Sequence, residues 1–429
     1  MRRWLVLLAA LVAVSTDGAP GFGRGGGLTT CPKGYVGGGL TPCTPSYAFF
    51  EFAPASGAGM GAACACAAVT GAKGEALTMT RASAGTCSKQ GPASTGIAVG
   101  DLATCGNNLP RIESANGVLS YLREADATNL VLRSEEFDNG AWNKTSSGGP
   151  AAPVVTPNYA QSPRNDATAD RIQFAAIPGA TQESTVYQAG VCPAGTATAS
   201  VFVQGTTGSG VIQLVINTGA PGTCVACAYN STSATRCIVS GTVSSSGNML
   251  VSNRTDVYGC AGSSLPAQDV IVWGAQCEAG AFATSYIQTT SAAATRSADS
   301  QLTATLTTGI GPNFSEAATV TYLGTGAASV PVQLGSSAPN LAKLGVASNT
   351  ALDLAINASS TGPTVAAIDS TSHRGSLSDA AGVRSAYWDG VSLLAPAGSM
   401  TGMATAVAIG AVGAVTKQVC IDPDPSRCR

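Results

Sequence analysis

At 429 residues the chain has room for two or three domains, and its 45% apolar content rests on Ala, Val and Gly more than on Leu and Phe. Only 11% of residues are charged, the formal net charge is -2, and no Lys/Arg cluster exceeds the Arg2-Arg3 pair, which excludes nucleic acid as a partner. With 52 Gly and 22 Pro as punctuation and few surface-helix formers, the composition points to many short strands and turns.

The N-terminus reads as an export signal over residues 1–15. Arg2 and Arg3 precede an apolar run from Trp4 to Val14, and Ala13-Val14-Ser15 puts small residues at both cleavage positions. The run is shorter than the roughly 20 residues a bilayer requires, so no membrane span is expected in the mature chain; an uncleaved anchor is the alternative. Residues 16–125 are Gly- and Ala-rich, with "GFGRGGGL" as a flexible lead-in and only "SYAFFEF" and "EALTMTRAS" resembling strands. This region is expected to be irregular and to depend on its cysteines.

Between about 126 and 298 the strands become legible: "TASVFVQG", "GVIQLVIN", "ATRCIVSGTV", "NMLVSN" and "DVIVWGAQCE", each bounded by Gly, Ser, Pro or Asn. Short strands separated by turn chemistry, without helical periodicity, predict an antiparallel sandwich. From about 299 to 429 the pattern resumes with "SQLTATL", "ATVTYLG", "VPVQLG", "ALDLAIN", "TVAAIDS", "VRSAYWDGVSLLAP" and "ATAVAIGAV". Asp389-Gly390 marks a tight hairpin, because a two-residue turn with positive φ accepts that dipeptide at little steric cost. The apolar stretch Met403 to Val415, broken by Gly410 and Gly413, is too short to span a membrane and is expected to be a buried strand pair. The fold class is therefore all-β, with two tandem antiparallel β-sandwiches after the N-terminal region.

The 14 cysteines fall into three even groups, one in each region, as disulfides closing within separate domains would give. A zinc site at Cys224-Val-Ala-Cys227 competes weakly, since His373 is the only histidine and no second pair has matching spacing. Connectivity stays open apart from one pair, Cys420 with Cys428, which are isolated and joined by a short loop containing Pro423 and Pro425.

Several segments carry a resemblance. "RAS" at Arg81 to Ser83, "NLPRIE" at Asn108 to Glu113, "READATNLVLRSEEFDNGAWNK" at Arg123 to Lys144 and "WGAQCEAGAFATSYIQTTSAAATRSAD" at Trp273 to Asp299 resemble successive signatures of phage tail and tail-fibre structural proteins and their bacterial relatives. The resemblance implies a carbohydrate-binding-module-like jelly roll over 126–298 and a concanavalin A-like (laminin-G-like) sandwich over 299–429. "ATRC" at 234–237 and "AYWDGV" at 386–391 are similar to further strands of those two domains. Cys277 replaces the family's usual apolar residue. Together with the export signal, this suggests a secreted or cell-surface relative.

Strand alternation along "DVIVWGAQCE" puts Ile271, Trp273, Ala275 and Cys277 on one face, expected to be core, and Val272, Gly274, Gln276 and Glu278 on the other. Gln276 and Glu278 beside the small Gly274, with Trp142 and Tyr286, form the candidate ligand-binding set: sugars take hydroxyl contacts from amides and carboxylates, and stacking from rings. The structural alternative is that Glu278 ends its strand, Gln276 pairs with a neighbour and Trp142 packs in the core. His373 lies in the polar "STSHRGS" and is expected at the surface; with no Gly-x-Ser-x-Gly element, Ser/His chemistry has nothing to build on. No catalytic residue is assigned, because no spacing singles out a carboxylate pair. No cofactor is expected, although a structural calcium held by Asp138 or Asp299 stays open. The favoured reading is a non-catalytic binder of a glycan or cell-surface polysaccharide, with homo-oligomerisation open. A structural part of a phage-like or extracellular assembly is the alternative, and a glycan hydrolase the third reading.

Overall fold

The computed structural model describes residues 35–38, 41–45, 48–51, 69–70, 76–88, 95–115, 118–179, 181–218, 222–255, 265–311, 313–322, 328–336, 340–348, 350–357, 359–366, 368, 371–398, 400, 404–409, 414–422 and 428. The export signal and the "GFGRGGGL" lead-in lie outside the described residues. The chain divides into residues 1–45 and 46–429. The described part of the first unit is an antiparallel hairpin of Tyr35–Gly38 with Thr41–Pro45.

The second unit is all-β, built of two antiparallel sandwiches. In the first, a five-stranded sheet runs Asn143–Ser147, Gln182–Cys192, Gly247–Thr255, Ser209–Asn217, Thr223–Asn230. It faces a six-stranded sheet in the order Val154–Ala160, Ala169–Phe174, Gln268–Ala279, Gly195–Gly205, Ala234–Val243, Thr95–Ile97. Alternating side chains fill the space between them: Val186, Ile212, Leu214 and Val251 from one sheet meet Ile172, Val201, Val203 and Val270 from the other. Each such side chain contributes roughly 1.5–3 kcal/mol by leaving water. Two disulfides cross this core from sheet to sheet, Cys192–Cys277 and Cys227–Cys237. Cys224 is also disulfide-bonded, so the paired Cys224 and Cys227 thiols are not available to zinc.

The second sandwich sets an eight-stranded sheet against a six-stranded one, with Phe314, Leu377, Trp388 and Val419 packed on Leu302, Leu344, Leu354 and Val407. Asp389 and Gly390 both have positive φ, 50° and 81°, and join Val383–Trp388 to Val391–Leu393 as the dipeptide predicts. Cys420 is bonded to Cys428 beside buried Ala317.

Three expectations change. The two strands of the stretch 403–415 do not pair with each other: Ala404–Ile409 joins the six-stranded sheet and Ala414–Asp422 the eight-stranded one. His373 is buried, stacked on Trp388 at 5.7 Å with its Nδ1 2.8 Å from Asp389 Oδ2, because the hairpin turn folds that carboxylate back over it. The N-terminal region adds strands to both sandwiches. Thr95–Ile97 extends the first along Ala234–Val243, while Val118–Arg123 and Ala48–Glu51 pair one after the other with the same edge of Ala414–Asp422 in the second. Open sheet edges account for this, since unpaired backbone groups recruit any extended segment within reach.

One residue conflicts with its surroundings. Glu316 stands on the core-facing side of its strand between Phe314 and Ala318, fully buried, with neither carboxyl oxygen hydrogen-bonded. Burial pushes its carboxyl well above the usual range, so the folded protein keeps a proton that the unfolded chain releases above about pH 4.3. The folded state therefore binds more protons in that window, and stability falls as pH rises through it, by up to about 1.4 kcal/mol per pH unit. Urea unfolding from pH 6 to pH 8 is expected to show this decline in the wild type and a shallower one in Glu316→Gln. Glu113, whose buried carboxyl is raised to about 8, contributes to the residual slope, as do the raised carboxyls of Glu135 and Glu278.

Candidate functional site

Gly274 governs the strand that carries most of the predicted site. Its φ is +65°, and pairing with Gly195–Gly205 shifts register there: Ser200 faces Gln276 but Phe202 faces Trp273. The bulge inverts the alternation. Val270, Val272, Ala275 and Cys277 point into the core, while Ile271 and Trp273 lie in a second apolar cluster on the outer face. Trp273 therefore sits opposite to its expected face. A Cβ at Gly274 would stand 3.0 Å from the Phe202 ring, so a side chain is excluded by space as well as by conformation.

The four predicted ligand residues are all buried, and none offers a surface to a ligand. Glu278 accepts from Gln276 Nε2 at 2.6 Å, from the Thr284 amide at 2.8 Å and from Thr284 Oγ1 at 2.7 Å. Gln276 Oε1 accepts from the Ile287 amide at 2.7 Å. These contacts fasten residues 284–287 across the outer face, and Tyr286 fits its ring against Trp273 at 4.6 Å and donates to Glu135 Oε1 at 2.9 Å. Trp142 is remote from the other three, packed on Phe137 at 4.6 Å with its Nε1 donating to Arg133 O. Polar side chains that look like ligand donors in sequence thus satisfy the chain's own returning segment.

Beyond Ser285 lies a buried ionic cluster. Arg111 donates to Glu124 Oε2 and to Ser285 Oγ, each at 2.6 Å, and pairs with Asp299 Oδ2. Arg81 donates to Asp299 Oδ1 at 2.9 Å and to the carbonyls of Ser83 and Gly106. Arg296 lies 3.3 Å from Glu124. Burial opposes ionisation of Glu124, but Arg296 and Arg111 outweigh it and hold the carboxyl down to about 2. Sequence reasoning assigned none of these roles, although Arg81, Arg111, Glu124, Ser285, Arg296 and Asp299 all lie within the signature segments. Nothing local signals the pairing, since its partners are far apart in the chain.

The calcium candidates do not fit an ion. Asp299 is committed to two guanidinium groups. The backbone carbonyl of Asp138, with those of Asn139 and Trp142, points at Lys144 Nζ at 2.8, 2.8 and 2.9 Å, so an ammonium already occupies the carbonyl ring. The cavity bounded by Glu113, Phe202, Ser285 and Tyr286 measures about 10 Å³, room for one water.

The part of the outer face around Val154–Ala160 is not overlain by any described segment. Along Val154–Ala160, residues 157–159 oppose the single residue Asp170, with Asn158 at φ 51° donating its amide to Asp170 Oδ1. Pro157 has no amide to offer the ladder and Asn tolerates the left-handed region, so the bulge is written locally. It pushes out Tyr159, which is 49% exposed. The Arg171 guanidinium lies over one face of that ring at 5.1 Å and reaches Asp269 through both Nε, at 2.8 Å, and Nη2. Gln173, Gln204 and Ile271 continue the surface, and a shallow dent floored by Trp273 lies beside it. Tyr159 and Asp269 are visible in the sequence, yet only the bulge makes them a site.

No family model and no curated protein matches the sequence. Among solved structures the chain is similar to the N-terminal CBM22-1-CBM22-2 tandem domain of Xyn10C from Paenibacillus barcinonensis, at 10% identity and TM-score 0.25 over 70% of this chain and 98% of that one. It is similar to domains LG4-5 of the mouse laminin alpha1 chain, at 12% identity and TM-score 0.20 over 58% and 84%. It is also similar to Trypanosoma rangeli sialidase in complex with sialic acid, at 13% identity and TM-score 0.22 over 78% and 75%. Scores this low transfer no site, so function is read from this chain's own surface.

Replacing Arg111 with Met leaves Glu124 and Asp299 short of a buried cation. The expected loss is about 3–5 kcal/mol of unfolding free energy, measured by urea denaturation; a loss below 1 kcal/mol would show that the cluster is not held as described.

Proposed function

We propose that this chain is a non-catalytic glycan-binding protein of the secreted or cell-surface kind, with the open outer face around Tyr159 as its binding surface. The observation that carries this reading is the half-exposed Tyr159 ring, backed on one side by Arg171, with Asp269, Gln173 and Gln204 on the same outer face of the sheet. A pyranose presents C–H groups to a ring and hydroxyls to amides and carboxylates, and this surface supplies both at fixed spacing. A non-catalytic role is supported by how the buried carboxyls of the first sandwich are used: Glu135, Glu278 and Asp170 accept from internal donors. Glycoside hydrolysis needs two carboxyls opposed across a sugar.

Export is supported by the disulfides, which persist in oxidising compartments. Among the described residues no helix is long and apolar enough to cross a membrane. The sequence likeness to phage tail and tail-fibre proteins agrees with an adhesive role, as a relative that binds surface polysaccharide.

A second reading, a structural component of a phage-like or extracellular assembly, is favoured by exposed Val383, Val391 and Leu394 at the hairpin edge of the eight-stranded sheet, 75%, 62% and 74% exposed. On that reading, size-exclusion chromatography is expected to show an oligomer that Val391→Lys/Leu394→Lys dissociates.

For the glycan reading, Tyr159→Ala is expected to weaken binding on a glycan array by about tenfold or more, the loss of one stacked aromatic anchor, with an unchanged thermal midpoint. Wild-type levels of binding in that variant would remove Tyr159 from the site.

A further inference from the structure

The charge state of the Tyr159 face has a consequence for ligand class. Arg171 is the only cation among the residues named for this surface, and its planar fork would suit a sugar carboxylate. That fork is occupied: Nε donates to Asp269 Oδ1 and Nη2 to Oδ2, so both oxygens of one carboxylate cover the guanidinium edge that another carboxylate would need. Asp269 in turn is held below the usual carboxylate range by its hydrogen bond to Arg171, so the pair stays ionised and closed at neutral pH. The two charges cancel. What remains outward is the Tyr159 ring, the Gln173 and Gln204 side chains, with Gln204 Nε2 donating to the Ser231 carbonyl at 3.0 Å, and a carboxylate that accepts from Arg171, Thr206 and Gln173 and repels anions.

We infer that this face selects neutral glycans and rejects acidic ones, with Asp269 as the residue that sets the choice. The inference rests on the glycan-binding reading above and deepens it. The surface crosses four adjacent strands, from Val154–Ala160 to Gly195–Gly205. At roughly 4.8 Å between strands this spans about 14 Å, enough for two or three neutral pyranose units laid across the sheet. Val154–Ala160 is the sheet edge, so a longer chain can run off that side and an internal stretch of polysaccharide can be held.

Affinity electrophoresis of the full chain separates the possibilities, with xylan, β-glucan and mannan as neutral probes and polygalacturonate and hyaluronan as acidic ones. The wild type is expected to be retarded by at least one neutral polymer and by neither acidic one. Asp269→Asn uncovers the Arg171 fork and is expected to gain at least about tenfold in affinity for an acidic polymer, a gain lost at high salt and absent from Asp269→Asn/Arg171→Met. Asp269→Ser is the second variant, and thermal unfolding checks that each is folded. Retardation of the wild type by polygalacturonate or hyaluronan, or a folded Asp269 variant with no acidic gain, overturns the selectivity while leaving glycan binding standing. No retardation of wild type or variants by any polymer overturns the glycan-binding reading itself, and the inference with it.

Discussion

The fold turns on one buried ionic cluster. Arg81, Arg111 and Arg296 converge on Glu124 and Asp299 with all five side chains out of water. Such pairs contribute little net stability, because desolvation offsets attraction, but leaving one member unmatched is costly. Their effect is therefore on register. Arg81 and Arg111 come from the N-terminal region, Glu124 from the lead into the first sandwich, and Arg296 and Asp299 from its exit. Beside the cluster the backbone follows suit: Asp299 donates its amide to Glu124 O, Ser300 to Thr80 O, and Ala127–Asn129 pairs with Ala294–Arg296. The cluster thus closes the first sandwich at its neck and starts the second in the same place.

Around the neck, the outer face of the six-stranded sheet is divided in two. One half is covered by residues 284–287, which carry Tyr286 onto Trp273 and Phe202, and Ile97 of the edge strand joins the same apolar cluster. Gln276 and Glu278 are the fasteners, and Ser285 links the covered half to Glu124 at 2.7 Å. Gln276 and Glu278 can reach the returning segment only because the bulge at Gly274 turns them outward.

Strand positions were largely legible because alternation leaves a direct trace. The segments at 198–205, 210–217, 234–243, 248–253 and 269–278 all lie in strands. Val154–Ala160, interrupted by Pro157, escaped, and so did Thr223–Asn230, whose run of small apolar residues lacks polar/apolar alternation. "TVAAIDS" has strand-like composition, but its described residues contribute no named strand and a bridge from Thr364 to Ala351, with Pro363 lacking an amide at its start. The site was legible only by residue type. Alternation assumes an unbroken pleat, and a single positive-φ glycine is enough to exchange faces for everything beyond it. The residues whose face the bulge exchanges are Ile271 and Trp273; Gln276 and Glu278 lie on the predicted non-core face, and it is the returning segment at 284–287, which strand periodicity does not reveal, that closes over them.

The two bulges act in opposite senses on one sheet. At Gly274 the irregularity turns polar side chains toward a segment that covers them, and the result is a sealed, internally bonded half-face. At Pro157-Asn158 it lifts an aromatic ring away from the sheet on an edge strand that nothing described overlies. Asp170 anchors the second bulge from beneath, accepting the amides of Asn158 and Phe137, with burial raising its carboxyl to about 6. The exposed ring is thus held by a buried carboxylate one strand away, and the surface it forms is as fixed as the sheet. A surface that is rigid before contact loses little conformational entropy on binding, which is what a flat site with one aromatic anchor needs in order to hold a flexible polymer.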